Sequence, residues 1–223
     1  MEQFIDNIFN EDCLQFLDRL PDESVDLVVT DPPYGDGIGY GRNDKEILNN
    51  EDETINYKVL PKLYRVLKND KCCYLFTNWK FENKLRDFIQ KETKFNIRMM
   101  IIIVKNNIGM GHGFRNQYEC CLVLEKGNPK YNLNNFSNVL SMEHIDTNID
   151  SHPHQKGFSV IGKILRHSSN ENDIVLDCFL GSGTTALVCK KLHRHFIGVE
   201  LDKKYYDMCI NRLNALSSKK SLF

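Results

Sequence analysis

Residues 173–185 read DIVLDCFLGSGTT, and the fold turns on how this stretch is understood. Ile174, Val175 and Leu176 form an apolar run of strand length that stops at Asp177. Phe179, Gly181, Ser182 and Gly183 follow, and Thr184 opens a helical stretch to residue 192. A short apolar run, a glycine turn and a helix start together predict one βα unit of a parallel sheet. Glycines let the backbone approach a ligand closely, and the free N–H groups at a helix start suit a carboxylate. The spacing is not G-x-G-x-x-G, which counts against a dinucleotide site. A G-x-G turn by itself is commonplace. Its meaning grows because the next strand, at 195–200, ends in Glu200, where a carboxylate can accept both hydroxyls of a ribose.

Outward from this unit the same alternation recurs. Strands are predicted at 4–9, 25–30, 72–77, 97–104, 118–125, 173–177 and 195–200. Helices are predicted at 13–20, 55–67, 81–92, 158–167, 184–192 and 203–213. Residues 35–53, 106–116 and 127–150 lack periodicity, and the first of these reads as a mobile acidic loop with six acids against two bases. Strands alternating with helices imply an α/β, Rossmann-like architecture: a mostly parallel seven-stranded sheet covered on both faces. With no internal repeat and no linker, residues 1–223 are expected to form one domain. Ligands of such sheets sit outside the carboxyl ends of the strands, where the winding reverses. Residues 31–34 and 179–184 both follow a strand, so both point at one crevice.

The first of these segments is Asp31-Pro32-Pro33-Tyr34, after the strand VDLVVT. An aromatic amine is a poor nucleophile because its lone pair is delocalised into the ring. Attack on an activated methyl group needs acceptors for the amino hydrogens and in-line alignment. A carboxylate supplies one acceptor and a backbone carbonyl another. Successive prolines hold φ fixed and bring no competing N–H, and the tyrosine offers a face on which an extruded base can stack. Asp and Pro are also common in plain strand-end turns. Even so, at ordinary proline usage a chance D-P-P-Y in a chain this long is on the order of one in a thousand.

Composition narrows the class. The 223 residues, 41% hydrophobic and 26% charged, suit a buried globular core. No apolar run approaches a membrane span, and the first residues show neither the basic region nor the apolar core of a secretory signal; a cytoplasmic protein is expected. Cys72/Cys73 and Cys120/Cys121 are adjacent pairs without any C-x-x-C, and most of the eight cysteines lie among apolar residues, so structural thiols are expected. Charge is uneven. Residues 1–57 carry 15 acids and 3 bases, whereas residues 58–130 carry 6 acids and 15 bases. A nearly neutral total thus conceals a basic middle third suited to phosphates, although a solvated helix face accounts better for any single lysine.

The D-P-P-Y tetrapeptide, the F-x-G-x-G turn and the run Gly198-Val199-Glu200-Leu201-Asp202 together resemble the amino-methylating (N6-adenine/N4-cytosine) DNA methyltransferases. The tetrapeptide precedes the glycine turn, an order similar to the circularly permuted β class of that family. The likeness extends to Asp12-Cys13-Leu14 and to His152–Lys156, an H-P-x-Q-K run, and so covers most of the chain. It implies S-adenosyl-L-methionine as cofactor, a methyltransferase fold, no metal, and N6 of adenine as the target, since Asp rather than Ser opens the tetrapeptide. Asp31 and the Pro32 carbonyl would hold the amino group, with Pro33 stiffening the turn and Tyr34 stacking on the base. Asp177, Phe179, Gly181, Ser182, Gly183 and Thr184 would wrap the methionine end of the cofactor. Glu200 would take its ribose, Asp12 would lie near its adenine, and Lys156 would close over its carboxylate. Cys178 and Gly157 stand where the family usually has proline, which predicts altered loop stiffness rather than altered chemistry.

Larger relatives carry a substantial target-recognition insert, and only residues 127–150 are available for one here. Double-stranded DNA contact is therefore expected to draw also on residues 105–117, with Lys105 and Arg115 as candidate contacts and Tyr40 on the acidic loop, which reads as a lid. The short recognition region suits a homodimer, and a cognate restriction endonuclease is the further partner that the resemblance suggests for a bacterial or phage-encoded enzyme. The alternatives are cytosine-N4 methylation, methylation of RNA or of a glutamine side chain, a non-catalytic nucleic-acid-binding subunit, and, most remotely, a dehydrogenase.

Overall fold

The computed structural model describes residues 1–34, 54–109, 112–142 and 158–220. The acidic loop 35–53, with Tyr40, and the His152–Lys156 run lie outside the described residues. Eight strands form one sheet: β1 (Asn7–Phe9), β2 (Val25–Thr30), β3 (Leu67–Thr77), β4 (Asn96–Val104), β5 (Tyr118–Lys126), β6 (Val139–Ser141), β7 (Ile174–Asp177) and β8 (His195–Val199). Their order is β1-β8-β7-β2-β3-β5-β4-β6. β5 runs antiparallel to both neighbours; the other pairings are parallel. The sequence pattern predicts seven strands. The eighth, β6, is a three-residue edge strand within the aperiodic span 127–150, too short to leave a period-2 signal.

Alternation along the strands sorts side chains onto two faces. Val28, Cys73, Leu75, Leu176, Ile197 and Val199 join one buried cluster, with helices α1 (Cys13–Arg19), α2 (Thr54–Val66) and α3 (Glu82–Glu92). Leu27, Val29, Tyr74, Phe76, Val175 and Phe196 join the other, with α4 (Phe158–Ser168), α5 (Thr184–Lys191) and α6 (Lys203–Lys220). All eight cysteines are free and buried. Burial pushes the thiols of Cys13, Cys72 and Cys209 up to about 12, which keeps them protonated packing groups. No helix among the described residues is long and apolar enough to cross a membrane.

Local chemistry explains where the elements begin and end. Asp12 caps α1, its Oδ1 accepting from the N–H groups of Leu14 and Gln15 at 2.9 and 3.1 Å. β1 is shorter than predicted because Asp6 takes a left-handed φ of 58°, although Phe4 still enters the core. β3 starts directly at Leu67, five residues earlier than expected, through the polar segment containing Asp70 at φ 56°.

Part of the basic middle third is paired within the fold. Arg65 pairs with Asp22 at 2.5 Å, Lys68 with Asp26 at 2.9 Å and Lys126 with Glu23 at 3.2 Å, and Lys62 pairs with Asp18. These bases meet the acids of the first third because α2 packs on α1 and β3 pairs with β2. Segregation along the chain becomes neutralisation in space. Lys62, Arg65, Lys68 and Lys126 are thus engaged by carboxylates.

Candidate active site

The strand order reverses at β7 and β2, which lie side by side and parallel, with Leu27 opposite Val175 and Val28 opposite Leu176. Both strands therefore end on one edge, and the segments that leave them face each other. A cleft of about 110 Å³ opens there, lined by Thr30 and Asp31 from the end of β2 and by Asp177, Phe179, Gly181, Ser182 and Thr184 after β7. Phe76 of β3 and Ile161 of α4 complete its wall. The two segments that sequence reading brought to one crevice do meet.

On the β2 side, Asp31, Pro33 and Tyr34 are half-buried and Pro32 is buried. The Tyr34 hydroxyl donates to Asp31 Oδ1 at 2.5 Å, which ties the ring to the carboxylate. Behind the turn, Asn56 Nδ2 donates to the Pro33 carbonyl at 2.7 Å. Asn56 is 1% exposed, and its Oδ1 is buried with no hydrogen-bond partner among the described residues. Asn56 thereby holds the Pro33 carbonyl from behind the turn. Sequence reading passed over Asn56, which sits inside an apolar helical stripe; the only hint was an asparagine beside Ile55, between two core positions.

On the β7 side, the turn relies on left-handed backbone at Gly181 (φ 55°) and Gly183 (φ 84°). A Cβ at Gly181 would meet nothing within 4 Å, so its face opens onto the cleft, whereas one at Gly183 would strike Cys209 Sγ at 2.9 Å. From α6, Cys209 Sγ donates to the Gly181 carbonyl at 3.0 Å and Arg212 donates to the Ser182 carbonyl. Neither residue was singled out from sequence. Asp177 is 6% exposed; it accepts from Thr30 Oγ1 at 3.1 Å, from Phe179 N–H at 3.2 Å and from Thr185 Oγ1 at 2.7 Å. It thus binds β2, the glycine turn and α5 to one another. Cys178 is buried beside Thr30, remote from the open side of the cleft.

Glu200 follows β8 and reaches back to the turn. Its Oε2 accepts from Gly181 N–H at 2.7 Å and its Oε1 from Asp202 N–H at 2.8 Å. Burial outweighs these hydrogen bonds and raises its carboxyl from 4.5 to about 7. Asp12 lies on the same edge, beyond β1, where it serves as the cap of α1.

A family model described as DNA methylase matches residues 25–211, taking in both segments of the cleft. The chain belongs to the N6/N4 DNA methylase family. It is 30% identical to the type II methyltransferase M.HpaI of Haemophilus parainfluenzae, across 91% of this chain and 72% of that one. With the type II methyltransferase M.HinfI of Haemophilus influenzae it shares 29% identity, across 97% of this chain and 70% of that one. Among solved structures, M1.HpyAVI matches with a TM-score of 0.72 at 27% identity, covering 93% of this chain and 98% of that one. M1.HpyAVI has also been solved as a complex with SAM. The cytosine-N4-specific PvuII DNA methyltransferase matches with a TM-score of 0.76 at 19% identity, covering 92% of this chain and 85% of that one, a likeness of fold alone.

In this DNA methylase the candidate DNA contacts divide. Arg115 is exposed on the β4–β5 hairpin. Lys105, at the base of that hairpin, is half-buried and lies 3.8 Å from Glu119. Of the span 127–150, residues 143–150 lie outside the described residues. Tyr131 packs at the opposite edge of the sheet, its ring 4.6 Å from that of His167, and Asn132 bonds to the end of α4. β6 runs parallel to β4, so its last residue, Ser141, stands on the cleft edge.

Proposed function

We propose that this DNA methylase transfers the methyl group of S-adenosylmethionine to N6 of adenine in a base drawn out of duplex DNA. The observation that carries this reading is that Asp31 and Gly181, 150 positions apart in the chain, line the same cleft. S-adenosylmethionine supplies a methyl group already activated by a positively charged sulfur. The site fits that molecule in three respects: Gly181 presents an open backbone face, the start of α5 presents N–H groups, and Glu200 presents a carboxylate at the rim. Phe179, Gly181, Ser182, Gly183 and Thr184 would hold the methionine portion and Glu200 the ribose. Asp177 acts through the turn it braces, and Asp12 through the helix it caps.

For the base, Asp31 accepts one amino hydrogen and the Pro32 carbonyl the other, which turns the nitrogen lone pair toward the cleft. Tyr34 holds the Asp31 carboxylate through its hydroxyl while its ring offers a stacking face. Asn56 keeps the Pro33 carbonyl engaged and so fixes the turn. Aspartate at the first position of the tetrapeptide favours adenine over cytosine by family resemblance. Incubation of unmethylated DNA with the protein and labelled S-adenosylmethionine, followed by nucleoside analysis, is expected to yield N6-methyladenine. Finding N4-methylcytosine alone would refute the base assignment.

The raised carboxyl of Glu200 makes cofactor binding pH-dependent. Hydroxyl groups of a ribose donate best to the ionised form, and ionisation passes through its midpoint near 7. Affinity for S-adenosylmethionine, read by calorimetry, is expected to strengthen about tenfold from pH 6 to pH 8, as the ionised fraction does. Glu200→Gln should bind weakly and flatten the profile. An equally steep profile in that variant would show that another group titrates. For the unliganded fold the sign is opposite. An unfolded glutamate ionises near 4.5, so a destabilising contribution grows from there and is complete above about 7.

A further inference from the structure

Phe114, at 110% relative exposure, is the most exposed large apolar side chain among the described residues. Isolated exposed apolar residues are ordinary on soluble proteins. What sets this one apart is how it is mounted and where. Hydrogen bonding continues past the ends of β4 and β5: Lys105 N–H donates to the Gln117 carbonyl at 2.8 Å, and Gly109 N–H to the Asn116 carbonyl at 2.7 Å. Gln117 Nε2 returns a bond to the Lys105 carbonyl at 3.1 Å. A Cβ at Gly109 would come to 3.0 Å from the Asn116 carbonyl oxygen, and Gly113 turns the chain at φ 68°. The ring therefore sits just past a loop base that is cross-linked twice, at Lys105–Gln117 and Gly109–Asn116.

Sheet register locates that loop relative to Asp31. Thr30 lies opposite Leu75, Leu75 opposite Leu122, and Leu122 opposite Met100. β2 stops at this level, while β4 and the Lys105–Gln117 bond after it continue roughly 16 Å further at about 3.3 Å per residue. Three strand spacings, about 14 Å, separate β4 from β2 across the sheet. Phe114 thus stands above and beside the cleft, on the edge from which a base must enter. The exposed bases Arg115 and Lys80 stand on the same edge. Two acids nearby are matched by bases, Glu82 by Arg86 at 2.5 Å and Glu119 by Lys105.

We propose that Phe114 is a wedge for duplex DNA: its ring enters the base stack at the gap left by the target base, with Arg115 on an adjoining phosphate. The proposal rests on the reading that a base leaves the duplex to reach Asp31. Extrusion costs stacking on both sides of the vacated place, and an aromatic ring inserted there restores contact without regard to sequence.

The test uses whole-genome-amplified DNA, which carries no methylation, with the unsubstituted protein, Phe114→Ala and Phe114→Trp. Phe114→Ala is expected to lower kcat/KM for methyl transfer about tenfold, the scale of one lost base–aromatic stack. Its melting temperature and affinity for S-adenosylmethionine should be unchanged. Phe114→Trp is expected to stay within about twofold of the unsubstituted protein, and its added emission to be quenched by the duplex, as a stacked indole would be. Transfer by Phe114→Ala at the unsubstituted rate would overturn the wedge alone. So would a Phe114→Trp protein as impaired as the alanine variant and unquenched, or a change of oligomeric state with transfer intact. Absence of transfer by the unsubstituted protein would overturn the underlying reading and the wedge with it.

Discussion

Asp31→Ala is expected to reduce methyl transfer to DNA by at least about a hundredfold, the range of a lost positioned acceptor at a reacting group. Asp31 leaves β2 on the far side of the cleft from the glycine turn, where it accepts from the Tyr34 hydroxyl. Affinity for S-adenosylmethionine should therefore stay within about threefold, less than about 1 kcal/mol. Asp31→Asn should fall between the two proteins, because an amide keeps one acceptor and the side-chain volume but loses the charge. Steady-state transfer of labelled methyl groups and calorimetry with the cofactor separate the two quantities. If Asp31→Ala kept more than about a tenth of the activity, the amino group would have to be held by something else.

Alanine substitutions at the two turn glycines are expected to fail in different ways. Gly183→Ala places a methyl group 2.9 Å from Cys209 Sγ and 3.3 Å from its Cβ, in a left-handed backbone. Left-handed strain of about 1–2 kcal/mol adds to about 1–3 kcal/mol of overpacking. At this chain length a loss of about 3 kcal/mol lowers the melting temperature by roughly 6–12 °C. Gly181→Ala carries the strain without the collision, so its melting temperature should fall by only about 2–8 °C. Its methyl group, however, projects into the open face of the cleft, so stabilisation by added S-adenosylmethionine should be largely lost. Thermal melts with and without cofactor read both effects. Equal cofactor-induced stabilisation in Gly181→Ala and the unsubstituted protein would place the cofactor elsewhere.

Much of this arrangement was legible in the residues. A βα unit announces itself when an apolar run, glycines and a helix start fall in order, and D-P-P-Y is too unusual a strand ending to be read as filler. The alternation of strands and helices carried the parallel sheet and its covered faces. The features that escaped depend on partners distant in sequence. Asp177 reads from sequence as a cofactor ligand, and its bracing bonds to Thr30, Phe179 and Thr185, one of them 147 positions away, could not be read there. Asn56 was hidden because helical periodicity registers apolar positions and is silent about a buried amide turned toward a loop. Part of the positive charge of the middle third is met by acids of the first third, through pairing between α1 and α2 and between β2 and β3, which net charge along the chain does not register. Strand β6 has three residues and borrows its geometry from β4.

The placing of β7 also governs how the chain comes together. It lies near the middle of the sheet between β2 and β8, yet it is made of residues 174–177, late in synthesis. Until those residues emerge, a nascent chain carries β2 with one backbone edge unpaired, and β1 has no neighbour at all, since its partner is β8. Closure is then a long-range event, which slows folding and leaves a strand edge open to mispairing. Truncation before residue 174 would remove the keystone of the sheet rather than trim its margin, and the product should aggregate instead of persisting as a smaller folded body.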